Sequence, residues 1–402
     1  MTVAERVLAG SGLAPGFIAP GATLGVMGGG QLGRMFVHAA QQMGYRTAVL
    51  DPDPKSPAGL VAHRHIATAY LDPAGVAQLA ACADAITTEF ENVPAAALRE
   101  LAAHRPVAPG ADAVAICQDR AAEKAWFVRA GVPCAPHALI DSEAQLDAVD
   151  EALLPGILKT VRLGYDGKGQ VRVARRDELP AAWRALGGAP CVLEQLLPIA
   201  RELSVIVARG RDGAVAVLPV QDNLHRAGIL AVTRVPAPGL DGQVAAEAVA
   251  TACALASAIG HVGVLCVEFF VLADGRLVAN EMAPRPHNSG HYSLDACDLS
   301  QFDLQVRALV GAPLAPPRLH SPAVMLNLLG DLWWPALPTT DDPVEPRWAE
   351  VLALDGVHLH LYGKSAARPG RKMGHLTVTA PTAAQADAQA RRAALLLGIA
   401  GW

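Results

Sequence analysis

Residues 278–291, Val-Ala-Asn-Glu-Met-Ala-Pro-Arg-Pro-His-Asn-Ser-Gly-His, end an apolar stretch on a carboxylate and follow it with a dense run of polar side chains. A core strand needs none of that chemistry, so the segment reads as an active-site edge. Upstream, Val264-Leu265-Cys266-Val267-Glu268-Phe269-Phe270 is a second apolar strand with a carboxylate in its middle, and Asp274-Gly275 supplies the turn between the two. Such a hairpin brings Glu268 and Glu281 onto one face, where two ionised carboxylates repel unless a divalent cation lies between them. Magnesium is the expected ion, with manganese as its substitute, and magnesium held by protein carboxylates points to a nucleoside triphosphate. The plain alternative is that Glu268 pairs with a buried arginine and Glu281 caps a strand end. Asn280 and the polar run from Arg285 to His291 favour the metal.

Three further segments carry chemistry. Gly28-Gly29-Gly30-Gln31-Leu32-Gly33 satisfies G-x-G-x-x-G between a strand and a helix, with Asp51 at the distance of a ribose-binding acid; alone it supports an NAD(P)-linked oxidoreductase. The same backbone amides at a helix N-terminus suit any phosphate. Lys159 ends an apolar strand and is followed by Arg162-Leu163-Gly164-Tyr165-Asp166-Gly167-Lys168-Gly169-Gln170, a glycine-rich flap whose amides and ammonium group can fold onto a triphosphate. It is neither a P-loop nor a kinase loop. Glu194-Gln195-Leu196-Leu197 sits where a strand runs out into an apolar connection whose backbone can pair with an adenine edge, and Glu202 lies within reach of ribose hydroxyls.

The elements that must position these groups follow from periodicity. Thr23–Met27, the glycine turn, a helix from Gln31 to Met43 and a strand Arg46–Leu50 form a β-α-β opening, and its parallel sheet continues through Ala85–Thr88. Alanine-rich helices near 74–83 and 94–103 cover it. After a helix from Asp119 to Ala130, strands and helices alternate through residue 208. Past Pro316 come strands at 323–329, 357–362 and 375–378. The expected fold is α/β, with α+β character in the middle. It comprises a flexible extension (1–21), a parallel-sheet domain (22–117), a nucleotide-binding domain (118–316) with a mobile lid near 132–200, and a small β-rich C-terminal unit (317–402).

The 402 residues are 52% hydrophobic, and charges interrupt every apolar run before the length of a membrane span. A mean hydropathy of +0.27 excludes a disordered chain. The net charge of −5 argues against broad nucleic-acid binding and points to small-molecule partners. Seven cysteines without a Cys-x-x-Cys pair read as reduced thiols of a cytoplasmic protein, and residues 1–21 lack a secretory signal.

Together the motifs resemble the ATP-grasp superfamily and, within it, the N5-carboxyaminoimidazole ribonucleotide synthetase family of purine biosynthesis. The matching segments are 28–35, 88–92, Gln118-Asp119-Arg120 with Lys124, 164–170, 280–291 and 368–375, so the likeness runs from about residue 22 to about 380. The resemblance implies that Arg120, Lys159, the flap from Gly164 to Gln170, Glu194 to Leu197, Glu202, His225 and Asn280-Glu281 bind ATP, and that Glu268 and Glu281 hold the metal. It places Lys364 and Arg371 at the phosphate of aminoimidazole ribonucleotide, within a basic cluster that also includes Arg368, Lys372 and His375. Tyr165, Asp166, Glu89 and Gln31 fall nearer the ribose and base. Arg285, His287 and Asn288 are the candidates for bicarbonate and its activated intermediate, and a homodimer is implied. The competing readings are another ATP-grasp ligase, such as a formate-dependent glycinamide ribonucleotide transformylase or a biotin carboxylase, an NAD(P) oxidoreductase, and a non-catalytic nucleotide sensor.

Overall fold

A computed structural model of the chain describes residues 16–164, 167–334 and 342–399. The N-terminal domain is a parallel four-stranded sheet, order β3-β2-β1-β4, built from β1 (Thr23–Met27), β2 (Arg46–Leu50), β3 (Arg64–Ile66) and β4 (Ala85–Thr88). All four residues of β4 and the last four of β1 and β2 are buried, as parallel strands covered on both faces require. The expected helices lie at Gln31–Gln42, Pro73–Cys82 and Ala95–Ala102.

The glycine turn departs from the dinucleotide reading. The Glu89 carboxylate accepts the amides of Gly30 (3.0 Å) and Gly33 (3.2 Å), and Asp51 accepts that of Gly29 at 2.7 Å. A Cβ on Gly30 would sit 2.4 Å from Glu89 Oε1, so the glycine makes room for this carboxylate. The helix N-terminus thus already holds a carboxyl group of its own chain where a pyrophosphate was expected, and Asp51, expected to face a ribose, takes the Gly29 amide instead.

The segment expected as a lid holds an antiparallel sheet, order β5-β8-β6-β7, of β5 (His137–Ile140), β6 (Gly156–Thr160), β7 (Gln170–Val173) and β8 (Cys191–Gln195). The remaining strands form one nine-stranded sheet: β9 (Ile199–Arg209), β10 (Val215–Val217), β11 (Gln221–Arg226), β12 (Ile229–Val235), β13 (Gly263–Leu272), β14 (Leu277–Ala283), β15 (Ala323–Leu329), β16 (Val357–Leu361) and β17 (Lys372–Thr379). The C-terminal strands therefore extend the central sheet, with β15 pairing β12 from Val232↔Leu326 to Val235↔Ala323.

Helix Gln301–Val310 joins this sheet to the N-terminal domain. Phe302, Val306 and Leu309 pack with Leu24, Val26 and Phe36 in one core. Buried Gln305 accepts the Val264 amide (2.6 Å) and donates to Thr87 Oγ1 (2.9 Å), tying β13 to β4.

Candidate active site

The β13–β14 hairpin sets Glu268 directly opposite Glu281, and the register then slips so that Phe269 faces Ala279. Asn280 is thus an extra residue, and a bulge of this kind breaks strict in–out alternation. Asn280 and Glu281 are both half-buried between buried Ala279 and Met282. Two consecutive polar residues are therefore partly exposed on a single strand, which strict alternation would forbid.

The two carboxylates differ in their surroundings. Burial opposes charge on Glu281, but Arg120, 3.0 Å away, and Lys159 hold its carboxyl below the usual range. Burial, and then the charge of Glu281, push the Glu268 carboxyl up; its neighbour His287 lies 3.2 Å away. A buried carboxylate that favours a proton is short of positive charge, and the donors are hard oxygens on paired strands. The residues fit a magnesium or manganese ion.

Helix Arg120–Arg129 fixes the hairpin from behind. Asp119 caps it by accepting the amides of Ala121 and Ala122, both at 3.1 Å. Positions 120, 123 and 124 share a face at helical spacing. Glu123 accepts the Met282 amide at 2.5 Å, and burial pushes its carboxyl up to about 8. Lys124, 1% exposed, donates to the Asn280 carbonyl at 2.9 Å and lies 3.3 Å from Glu194. Lys159 donates to the other Glu194 oxygen at 2.8 Å. Burial opposes charge on Glu194, yet the two lysines hold its carboxyl down at about 2. The Glu194 side chain thus anchors Lys159. The Gln195 and Leu196 amides donate to the carbonyls of Pro136 and Pro155 (2.9 Å each).

The Glu202 carboxylate pairs with His225 Nδ1 across β9 and β11. In the flap, Gly167 (φ +76°) packs so closely on the Ala227–Gly228 turn that a Cβ would lie 2.7 Å from the Ala227 carbonyl. Tyr165 and Asp166 lie outside the described residues. Arg285 pairs with the carboxylate of Glu91, a partner that its sequence position gave no sign of. Burial opposes charge on Glu91, but Arg285 holds it below the usual range. Asn288 is 8% exposed, and both its side-chain polar atoms are buried without a partner in the fold.

In the C-terminal basic cluster, Lys364 Nζ donates to the Lys372 carbonyl (2.6 Å) and Arg371 to that of Ala366 (2.7 Å). A guanidinium has five donors, so its one bond orients Arg371 without exhausting it. His375 is not part of this surface. It is fully buried in β17, directly across from His360, with Tyr362 Oη 3.0 Å from its Nδ1. Asp295, His360 and His375 gather within 4.8 Å, but the two imidazoles stack with planes 9° apart. Their in-plane lone pairs run parallel and cannot meet on one ion.

Comparison with known proteins places this geometry. The description "Ribonucleotide synthetase preATP-grasp domain" matches residues 21–118, "ATP-grasp domain" residues 125–302 and "Phosphoribosylaminoimidazole carboxylase C-terminal domain" residues 323–389. An N5-carboxyaminoimidazole ribonucleotide synthase of Brucella melitensis is 48% identical over 365 residues, covering 90% of this chain and 97% of that protein. The chain belongs to the N5-carboxyaminoimidazole ribonucleotide synthase family. Solved structures of synthetases in this family agree with the fold. An ADP complex superposes with a TM-score of 0.88 at 40% identity, covering 94% of this chain and 98% of the other. The Aspergillus clavatus enzyme in complex with ADP and 5-aminoimidazole ribonucleotide gives 0.84 at 33% identity, covering 94% and 98%. The family assignment removes the oxidoreductase reading, in agreement with the filled glycine turn.

Proposed function

We propose that the chain carboxylates 5-aminoimidazole ribonucleotide with bicarbonate at the expense of ATP, forming N5-carboxyaminoimidazole ribonucleotide, ADP and phosphate. The observation that carries this reading is the half-buried Glu268–Glu281 pair, followed within a few residues by Arg285 and the unpartnered amide of Asn288. Bicarbonate is a poor electrophile because its carbon bears an anionic oxygen and has only hydroxide to expel. Attack of a bicarbonate oxygen on the γ-phosphorus of ATP breaks the bond to ADP and gives carboxyphosphate, whose leaving group is phosphate. The amine of the ribonucleotide then attacks the carbonyl carbon, or carbon dioxide released from it, phosphate departs and the amine loses a proton.

Lys159, steered by Glu194, and the flap amides offset phosphate charge as the γ-phosphoryl group moves. Glu268 and Glu281 would hold magnesium or manganese, which would supply further charge neutralisation for the phosphoryl transfer. Arg285, held by Glu91, and Asn288 orient bicarbonate. Lys364 and Arg371 hold the substrate phosphate, and Tyr165 and Asp166 belong to the flap that closes over the ribonucleotide. Closure excludes water, which would hydrolyse carboxyphosphate. The protein works as a cytoplasmic homodimer on this reading, consistent with free cysteines throughout the described residues and with no described helix long and apolar enough to cross a membrane.

The test is incorporation of labelled bicarbonate alongside ADP release, with and without 5-aminoimidazole ribonucleotide. Strong stimulation with one carboxylation per ADP supports the assignment. Turnover only with another amine or acid moves it to a different ATP-grasp ligase.

A further inference from the structure

The His287 ring is engaged at both nitrogens. Nε2 lies 3.2 Å from Glu268 Oε1. Nδ1 lies 2.9 Å from Ser289 Oγ and receives the Ser289 backbone N–H at 3.3 Å. A backbone amide can only donate, so Nδ1 is the unprotonated nitrogen and the proton of the neutral ring sits on Nε2, aimed at Glu268.

The Ser289 backbone amide sets this tautomer, and a line of buried polar groups behind the ring holds Ser289 in place. Ser289 and Ser204 are both 0% exposed, with their hydroxyls 2.8 Å apart. Ser204 is itself held by Asn223 Nδ2 (2.8 Å) and faces Gln221 Oε1 at 2.9 Å. Gln301 fixes the backbone at His287, accepting its amide at 2.8 Å and donating to its carbonyl at 2.7 Å. Gly290 leaves the space for this, since a Cβ there would lie 2.5 Å from Gln301 Oε1. Ser204 and Gln301 are fully buried; Ser204 reaches the loop through Ser289, and Gln301 through His287 and His291.

We propose that Ser204, Ser289 and Gln301 are positioning residues that lock His287 as an Nε2–H donor to Glu268, and that His287 in turn holds this carboxylate in the orientation that faces a divalent cation beside Glu281. The inference rests on the metal reading given above and revises one part of it. With Nδ1 capped by Ser289 and Nε2–H given to Glu268, His287 is neither a general base nor a bicarbonate ligand. Bicarbonate falls to Arg285 and Asn288. Partners that orient a metal ligand change metal affinity by about 10- to 100-fold when removed.

The experiment has two readouts. Long-range proton–nitrogen spectra of the metal-free, histidine-labelled protein, with His287 assigned by the His287→Gln variant, report the tautomer directly. Protonated Nε2 with unprotonated Nδ1 is the expected result; the reverse tautomer, or a doubly protonated ring at neutral pH, overturns the proposal. This measurement on wild-type protein does not depend on how any positioning variant folds. The second readout is Mn2+ affinity of the ADP-bound protein by electron paramagnetic resonance. His287→Leu should weaken it by about 10- to 100-fold and Ser289→Ala by a smaller factor. His287→Gln, whose amide N–H can reach the same carboxylate, should restore most of it. Unchanged affinity in His287→Leu overturns the role of His287 and leaves the metal reading intact. If wild-type protein adds nothing to the Mn2+ affinity of ADP itself, the metal reading falls and takes this role with it, whatever the tautomer.

Discussion

The glycine turn at 28–33 and the β13–β14 hairpin both present themselves as ion sites, yet the structure treats them oppositely. In the turn, every amide in question has a carboxylate of its own chain: Glu89 takes Gly30 and Gly33, while Asp51 takes Gly29 and the Tyr70 hydroxyl at 2.6 Å. In the hairpin, Glu268 is buried in a setting that pushes its carboxyl up, and Asn288 nearby has unpartnered polar atoms. The turn stores its polar energy in the fold, whereas the hairpin keeps an electrostatic deficit that a ligand can relieve. A glycine-rich strand-to-helix turn signals ligand binding only when its donors are unspent.

The largest effect that this contrast predicts is at the hairpin. Glu281→Gln should lower kcat by about 10²- to 10³-fold by removing charge aimed at the transferring phosphoryl group, with little loss of thermal stability. Near-wild-type turnover would place the chemistry elsewhere. In the turn the pattern should invert. Asp51→Ala strips the partner from three donors, the amides of Gly29 and Asp53 and the Tyr70 hydroxyl, and should cost about 2–3 kcal/mol in denaturant unfolding, while leaving the KM for ATP unchanged and creating no affinity for a nicotinamide dinucleotide. In the C-terminal basic cluster, Arg371→Ala should raise the KM for the ribonucleotide by an amount worth about 1.5–3 kcal/mol, the value of a charge-assisted bond. An intact KM would move the substrate phosphate away from Arg371.

The smallest effect is a pH dependence. Glu123 has a folded-state pKa of about 8 against an ordinary 4.5. The folded state keeps a proton that the unfolded chain releases, so its contribution is fully present below pH 4.5 and declines as pH rises towards about 8. Glu123→Gln retains an acceptor for the Met282 amide without that proton, and should flatten the melting-temperature profile over this window. Parallel profiles would remove Glu123 from the account.

The sequence made much of this legible because local signals were strong. Alternation and turn residues located β13 and β14, and the strand-turn-helix pattern located β1 and its glycine turn. What it concealed is long-range or non-periodic. The bulge at Asn280 has no sequence signature, and alternation alone puts Asn280 and Glu281 on opposite faces. The partnership of Arg285 with Glu91 spans 194 residues. Lys124 and Glu123 could have been found from their helical spacing with Arg120, since two charges buried on one helix face imply partners. His375 was grouped with its basic sequence neighbours, but its strand lies between β15 and β16, and the pairing buries it. The pairing of β15 with β12, which fuses the C-terminal strands into the central sheet, leaves no trace in either segment's periodicity.

The central claim, that this cleft activates bicarbonate through a phosphorylated intermediate, is tested most directly by following oxygen. With 18O-labelled bicarbonate, ATP and 5-aminoimidazole ribonucleotide, the account predicts one 18O in each phosphate released, because a bicarbonate oxygen bonds to the γ-phosphorus and leaves with it. Phosphate free of bicarbonate oxygen, at full carboxylation, would contradict it.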